Sequence, residues 1–127
     1  APLGHRLARH GEVTAQMLCD EPLIFRAAGS STQRAVDRMF ARAGLSPRPF
    51  LTLDARDGLY EAVANGLGIG FLWQGSTGRT DGVTQLRISE MQGQAIHETV
   101  FSLREANGQI VEAFFNLIAH EAAPTAV

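Results

Sequence analysis

The chain of 127 residues has a single cysteine, Cys19, so it can close no internal disulfide and lacks the set of thiolates that a zinc site needs. That composition favours a reducing compartment, and a cytoplasmic location is the expectation. Long apolar runs are missing too, as is the apolar region of a secretory signal, so neither a membrane span nor a membrane partner is expected. Neither sign of charge is in excess: 11 basic residues stand against 13 acidic ones for a net charge of -2, which gives the chain as a whole no electrostatic footprint for nucleic acid. There is no internal repeat and no low-complexity tract. His5, His10, His97 and His120 lie far apart without carboxylates at ligand spacing, and surface or packing roles suit them better than a metal site. No Walker sequence, nucleophile elbow or metalloprotease helix is present, so no catalytic residue and no cofactor is assigned. The first residue is alanine rather than methionine, as in a piece excised from a longer protein.

What is there is enough for one core. A hydrophobic fraction of 45% over this length allows burial of roughly 65–70% of the unfolded surface. The opening residues 1–11, with Arg6 and Arg9, read as a lead-in, and Thr14 is placed to cap a short helix that ends before Pro22. Leu23 to Arg26 reads as a strand. From Thr32 to Ala43, the apolar Val36, Met39, Phe40 and Ala43 recur on one helical face and Gly44 is a left-handed cap. Phe50 to Leu53 predicts a second strand, and Asp54 or Asp57 can cap a helix through Asn65 with Leu59, Tyr60 and Val63 inward. Ile69 to Trp73, apolar on both faces, predicts a central strand. This β-α-β-α-β order implies right-handed crossovers, hence an α/β fold with a mainly parallel sheet flanked by helices. Gln85 to Ile88 reads as a short strand, Ser89 to Gln94 as a linker, Thr99 to Leu103 as a strand, and Asn107-Gly108 as a turn. A helix from about Gln109 to Ala122 is apolar over much of its circumference, and the tail beyond is expected to fray.

The segment Leu23 to Gly44 bears most directly on function. A strand hands the hydroxyl-rich turn Gly29-Ser30-Ser31-Thr32-Gln33 to the start of a helix, where unpaired N–H groups and the positive end of the helix dipole suit a small anion. One hydroxyl suffices for a cap, so three in a row with a following glutamine favour a ligand over capping alone. Gly66-Leu67-Gly68-Ile69-Gly70 follows a helix and precedes a strand, the reverse of the dinucleotide-binding order, and reads as a helix cap with close helix-to-sheet packing. Asp54 and Asp57 could be a carboxylate pair, though their place before a helix favours capping.

Three stretches taken together carry a resemblance: Ala1-Pro2-Leu3-Gly4, Leu23 to Arg34 with its Gly-Ser-x-Thr turn, and Ala62-Val63-Ala64-Asn65-Gly66-Leu67-Gly68-Ile69-Gly70-Phe71-Leu72. Their order and spacing resemble the effector-binding domain of LysR-type transcriptional regulators, over nearly the whole chain, since Phe101 to Ile118 resembles that domain's closing strand and helix. The resemblance implies a two-lobed fold like that of periplasmic binding proteins, with residues 1–94 forming the second lobe and 95–127 returning a strand and helix to the first. One departure stands out: the family runs its central strand into Leu-Pro, whereas this chain has Leu72-Trp73-Gln74, so an indole and an amide reach the cleft edge. Trp73 there either packs on an effector or fills space.

The function implied is effector sensing, not catalysis. A small anionic metabolite would bridge the lobes and shift their orientation in a homo-oligomer, and operator DNA would be met only through a DNA-binding domain outside this chain. Ser30, Ser31 and Thr32 are the expected anion donors, with Gln33 assisting. Arg26, Asp57, Trp73 and Gln74 follow as candidates because they sit at strand C-terminal ends or the turns after them, where open α/β sheets collect ligands. The apolar last helix, short of its covering, is expected to exchange between copies into a symmetric dimer. A solute-binding protein of the same architecture and a small α/β enzyme using Asp54 or Asp57 as a base remain rival readings.

Overall fold

The computed structural model describes residues 1–94, 101 and 108–121. Two units divide the chain, Ala1–Gln94 and Ala95–Val127. In the first, a 3-10 turn at Arg6–Arg9 leads to helix α1 (Ala15–Cys19), strand β1 (Leu23–Arg26), helix α2 (Ser31–Arg42), strand β2 (Leu51–Leu53), helix α3 (Arg56–Ala64) and strand β3 (Ile69–Gly70). The sheet order is β2-β1-β3 with both pairings parallel, as the alternating element order predicts.

Period-two alternation along β1 splits the core between the two sheet faces. Leu23 joins Val36, Met39, Phe40, Ile69 and Phe71 on the α2 side, while Ile24 joins Leu59, Ala62 and Val63 on the α3 side. Phe25, Phe40 and Phe71 meet with ring centroids 6.0–6.3 Å apart, tying α2 to the two strands beneath it.

The three glycines before and within β3 are accounted for by packing. Gly66, at φ +82°, ends α3. A Cβ on Gly68 would overlap the Pro22 carbonyl, and one on Gly70 would lie 2.5 Å from Leu59 Cδ2 and 2.8 Å from Val63 Cγ2, so α3 lies against β3 only because no side chain intervenes.

Several boundaries differ from the sequence reading. The strand expected over Ile69 to Trp73 is only Ile69–Gly70. Along β1, Pro22 O accepts the Ile69 N–H on the β3 side, and alternation turns the Arg26 N–H to that side as well. That N–H goes instead to Gln33 Oε1 at 2.8 Å, so a side chain takes the place where β3 would have gone on. Neither Asp54 nor Asp57 caps α3: its N-cap is Ala55, without a side-chain bond, and Asp57 lies in the first turn. Gln85 to Ile88 is no strand, because only single residues pair there. Val13 bridges Ile88 in parallel and Pro2 bridges Val83 antiparallel, which makes this stretch a strap holding the lead-in segment. The same segment is anchored by Glu21, whose carboxylate is almost fully buried, paired to Arg6 Nη2 at 2.5 Å and 3.5 Å from His5 Nε2.

The second unit contributes helix α4 (Gln109–Glu121), with Phe114 and Phe115 edge to face at 5.9 Å and with Ile110, Phe114 and Leu117 exposed. The strand expected at Thr99 to Leu103, apart from Phe101, the turn residue Asn107 and the tail 122–127 lie outside the described residues.

Candidate functional site

The turn between β1 and α2 is built from local bonds. Ser30 N–H donates to Ala27 O at 3.2 Å with Gly29 at φ +98°, and the Ser30 hydroxyl accepts from Gln33 N–H at 3.4 Å as N-cap of a twelve-residue helix. Arg34 N–H closes the first helical bond on Ser30 O at 3.0 Å. The N–H groups of Ser31 and Thr32 have no acceptor among the described residues, as expected of a first turn. Ser31 is exposed and Thr32 is 9% exposed, so the free amides lie between a solvent-facing hydroxyl and a nearly buried one. The Ser30 oxygen accepts in the cap, while its O–H, like those of Ser31 and Thr32, donates to nothing among the described residues.

Two arginines flank the turn. Arg34 folds back so that Nη1 donates to Gly29 O at 3.0 Å, which holds its guanidinium beside the helix start. The sequence reading did not single it out as a site residue. Its signal is position: a side chain one turn into α2 reaches back toward the N-terminus. Arg26, at the end of β1, donates through Nη2 to Asp54 O, while its Nε is buried without a partner.

Gln33 stands differently from its expected role. It is 5% exposed, and both ends of its amide are engaged within the protein, Oε1 by Arg26 N–H and Nε2 by Asp37 Oδ1, each at 2.8 Å. It fixes the turn in place, with its carbonyl and one of its two Nε2 hydrogens spent within the protein. Asp57 is exposed on the β2 side. Trp73 and Gln74 begin the loop after β3, Trp73 half-buried with its indole N–H unpartnered and Gln74 exposed. Chain order therefore brings Arg26, the Ser30 to Thr32 turn and Trp73 to the C-terminal edge of β1 and β3, with Asp57 beyond the neighbouring β2.

The loop after β3 is latched to α3 by a group of residues the sequence reading did not single out. Tyr60 Oη donates to Asp81 O at 2.6 Å, and the Arg79 guanidinium lies 4.4 Å from the Tyr60 ring centroid. Arg79 also bonds Glu61 Oε1 at 2.5 Å and Asp81 Oδ2 at 3.1 Å. Its hydrogen bond holds the Asp81 carboxyl below the usual range, while burial, then the Asp81 charge, pushes the Tyr60 phenol up. Spacing alone could have hinted only at the Arg79/Asp81 pair.

The family model described as the LysR substrate binding domain matches residues 1–123. The transcriptional regulator CysL of Bacillus subtilis is 35% identical over 72 residues, 57% of this chain and 24% of that protein. CbbR of Xanthobacter flavus is 26% identical over 116 residues, 89% of this chain and 34% of its own length. The regulatory domain of CcmR from Synechocystis PCC6803, solved in complex with 2-PG, superposes with a TM-score of 0.71 at 25% identity, covering all of this chain and 62% of that one. The chain thus spans about a quarter of the length of CysL and about a third of CbbR. A family match over nearly every residue, on a parallel α/β unit with its hydroxyl turn at the sheet's C-terminal edge, makes the chain a member of the LysR substrate-binding domain family.

Proposed function

We propose that this chain is the effector-sensing part of a LysR-type transcriptional regulator and that the first turn of α2 holds one anionic group of a small metabolite. The observation that carries this is the pair of unclaimed amides at Ser31 and Thr32, with two hydroxyls beside them and Arg34 folded over the turn. Amides at a helix start are donors whose orientation the helix already fixes, so an oxyanion gains them at little reorganisation cost. That the CcmR domain was solved with 2-PG supports a small anion as the ligand class here.

Signalling needs differential affinity: the effector must bind one arrangement of two lobes better than another, and this changes how a homo-oligomer presents DNA-binding domains carried elsewhere in the protein. In this reading residues 1–94 are the second lobe and 95–127 complete the first. The relatives named above are regulators, which favours this reading over a solute-binding protein or an enzyme based on Asp54 or Asp57.

Titrating the isotope-labelled protein with inorganic phosphate tests the site. The Ser31 and Thr32 amide resonances are expected to move together and saturate, and Thr32→Ala to weaken effector binding by about 1–3 kcal/mol, as for a hydrogen bond to a charged group. Unmoved amides at saturating phosphate would remove the α2 turn from the binding site.

A further inference from the structure

All four sulfur side chains of the protein gather on one side of the sheet. Met39 lies inside the α2-side core at 2% exposure, and Met17, Cys19 and Met91 pack against that core from its rim, whereas the α3-side core has none. Met17 and Cys19 belong to α1, and Met91 closes a 3-10 turn, Ser89–Met91, near the end of the first unit.

Met91 is the one apolar side chain between Ser89 and Gln94. The bonds that hold this segment to α1 and the residues before it are polar. Glu12 accepts from Gln92 Nε2 and, at 3.4 Å, from Ser89 Oγ, while Glu90 Oε1 accepts from Ala15 N–H at 2.9 Å and Ser89 N–H donates to Val13 O at 3.0 Å. Glu12, Glu90 and Gln92 are exposed, so water competes for their bonds and each adds little. The half-buried Met91 is therefore the pin of this clasp.

A thioether reacts without ionising. A sulfur lone pair attacks one oxygen of hydrogen peroxide, an S–O bond forms as the O–O bond breaks, and water leaves; the sulfur loses two electrons and the peroxide gains them. Cys19 competes poorly, because burial, then the Asp20 charge, pushes its thiol up and a protonated thiol is a weak nucleophile. The sulfoxide is polar and draws water, which takes Met91 off the core rim and leaves the clasp with its exposed bonds.

We propose that Met91 is an oxidation-sensitive pin, which a peroxide converts to the sulfoxide and thereby releases residues 89–94 from α1. Because Gln94 is the last residue of the first unit, release also frees the chain that leads on to the second. This input is separate from the α2 turn and does not depend on the reading of that turn as an anion site.

Hydrogen peroxide treatment followed by peptide mass spectrometry and amide hydrogen exchange tests the pin. Met91 is expected to oxidise well ahead of the buried Met39. As its sulfoxide accumulates, the Ala15 and Ser89 amides are expected to exchange about tenfold faster, while those of Phe50 and Ile69, bonded to Leu23 O and Pro22 O in the sheet, stay unchanged. Met91→Leu, which keeps an apolar pin without the sulfur, is expected to abolish the acceleration, and Met17→Leu to retain it. Methionine sulfoxide reductase is expected to restore slow exchange. Oxidation of Met91 no faster than that of Met39, or unchanged exchange at Ala15 and Ser89 once Met91 is oxidised, overturns the proposal. So does an acceleration that survives in Met91→Leu, which assigns it to Met17 or Cys19. The wild-type time course needs no variant and decides the matter even if Met91→Leu does not fold.

Discussion

Replacing Gln33 tests whether one side chain both ends β3 and seats the α2 turn. Gln33→Leu keeps nearly the same volume at a site that is 5% exposed but removes the acceptor 2.8 Å from Arg26 N–H. A stranded amide costs about 1–3 kcal/mol, and the apolar side chain offsets part of it, so a net loss of about 1–2 kcal/mol is expected. Asp37 is exposed and regains water, adding little. For a small domain this lowers the melting temperature by about 4–8 °C per kcal/mol. Gln33→Glu separates the two bonds: it keeps the acceptor for Arg26 but sets a carboxylate 2.8 Å from Asp37 Oδ1 in place of a donor. Repulsion raises the carboxyl pKa in the folded state, so this variant is expected to be closest to wild type in acid and to lose ground as pH rises to neutrality. Urea unfolding followed by circular dichroism at pH 4.5 and 7.5 measures both. Gln33→Leu within 0.5 kcal/mol of wild type, or a loss in Gln33→Glu that ignores pH, would refute the strut.

Gly70→Ala is expected to lower stability by about 1–3 kcal/mol in thermal unfolding, since its methyl would lie 2.5 Å from Leu59 Cδ2; an unchanged melting temperature would mean that α3 yields freely. In a polypeptide that begins at Ala1, burial brings the terminal ammonium from 8.0 down to about 6. The folded state then binds fewer protons between those values, so stability rises with pH across that window, by up to about 2 kcal/mol. All 11 basic residues are arginine, so acetic anhydride has one primary amine to modify, and the acetylated chain is expected to lose this pH dependence. Tyr60→Phe deletes the 2.6 Å bond to Asp81 O and is expected to speed protease cleavage within residues 74–82. Because the Asp81 carboxyl is held low, the wild-type loop is expected to loosen in the same way as pH falls through and below the usual carboxylate range, and equal cleavage rates would dismiss the latch.

The parallel sheet and its helices were legible because apolar spacing and glycine caps are local: Val36, Met39 and Phe40 face the core, and Gly44 and Gly66 end helices, as their positions foretold. The turn before α2 was legible for the same reason, since the Ser30 cap needs only three residues of context. What escaped depends on partners distant in sequence or on side chains replacing backbone. The apolar run Ile69 to Trp73 gives no hint that Gln33 takes the Arg26 N–H on its side of β1. Nor does Arg34 reveal that it turns back to Gly29. The Tyr60 contact with Asp81 spans 21 positions, beyond any periodicity.

The strap across the lead-in segment has a consequence for how the chain is made. Ala1 is bonded to Thr84 through both its amine and its carbonyl, and Val13 is bonded to Arg87 and Ser89, so the two ends of the lead-in find these backbone partners only after residue 84 has emerged, whereas Arg6 has Glu21 close by in sequence. The sheet and its two helices, by contrast, draw on residues 23–70 alone. At about 5–20 residues per second on the ribosome, the backbone of Val13, a residue fully buried in the finished fold, waits several seconds for its partners at Arg87 and Ser89. Closing so long a loop is slow and comes late, so the strap is the last part of the first unit to lock and the first to open.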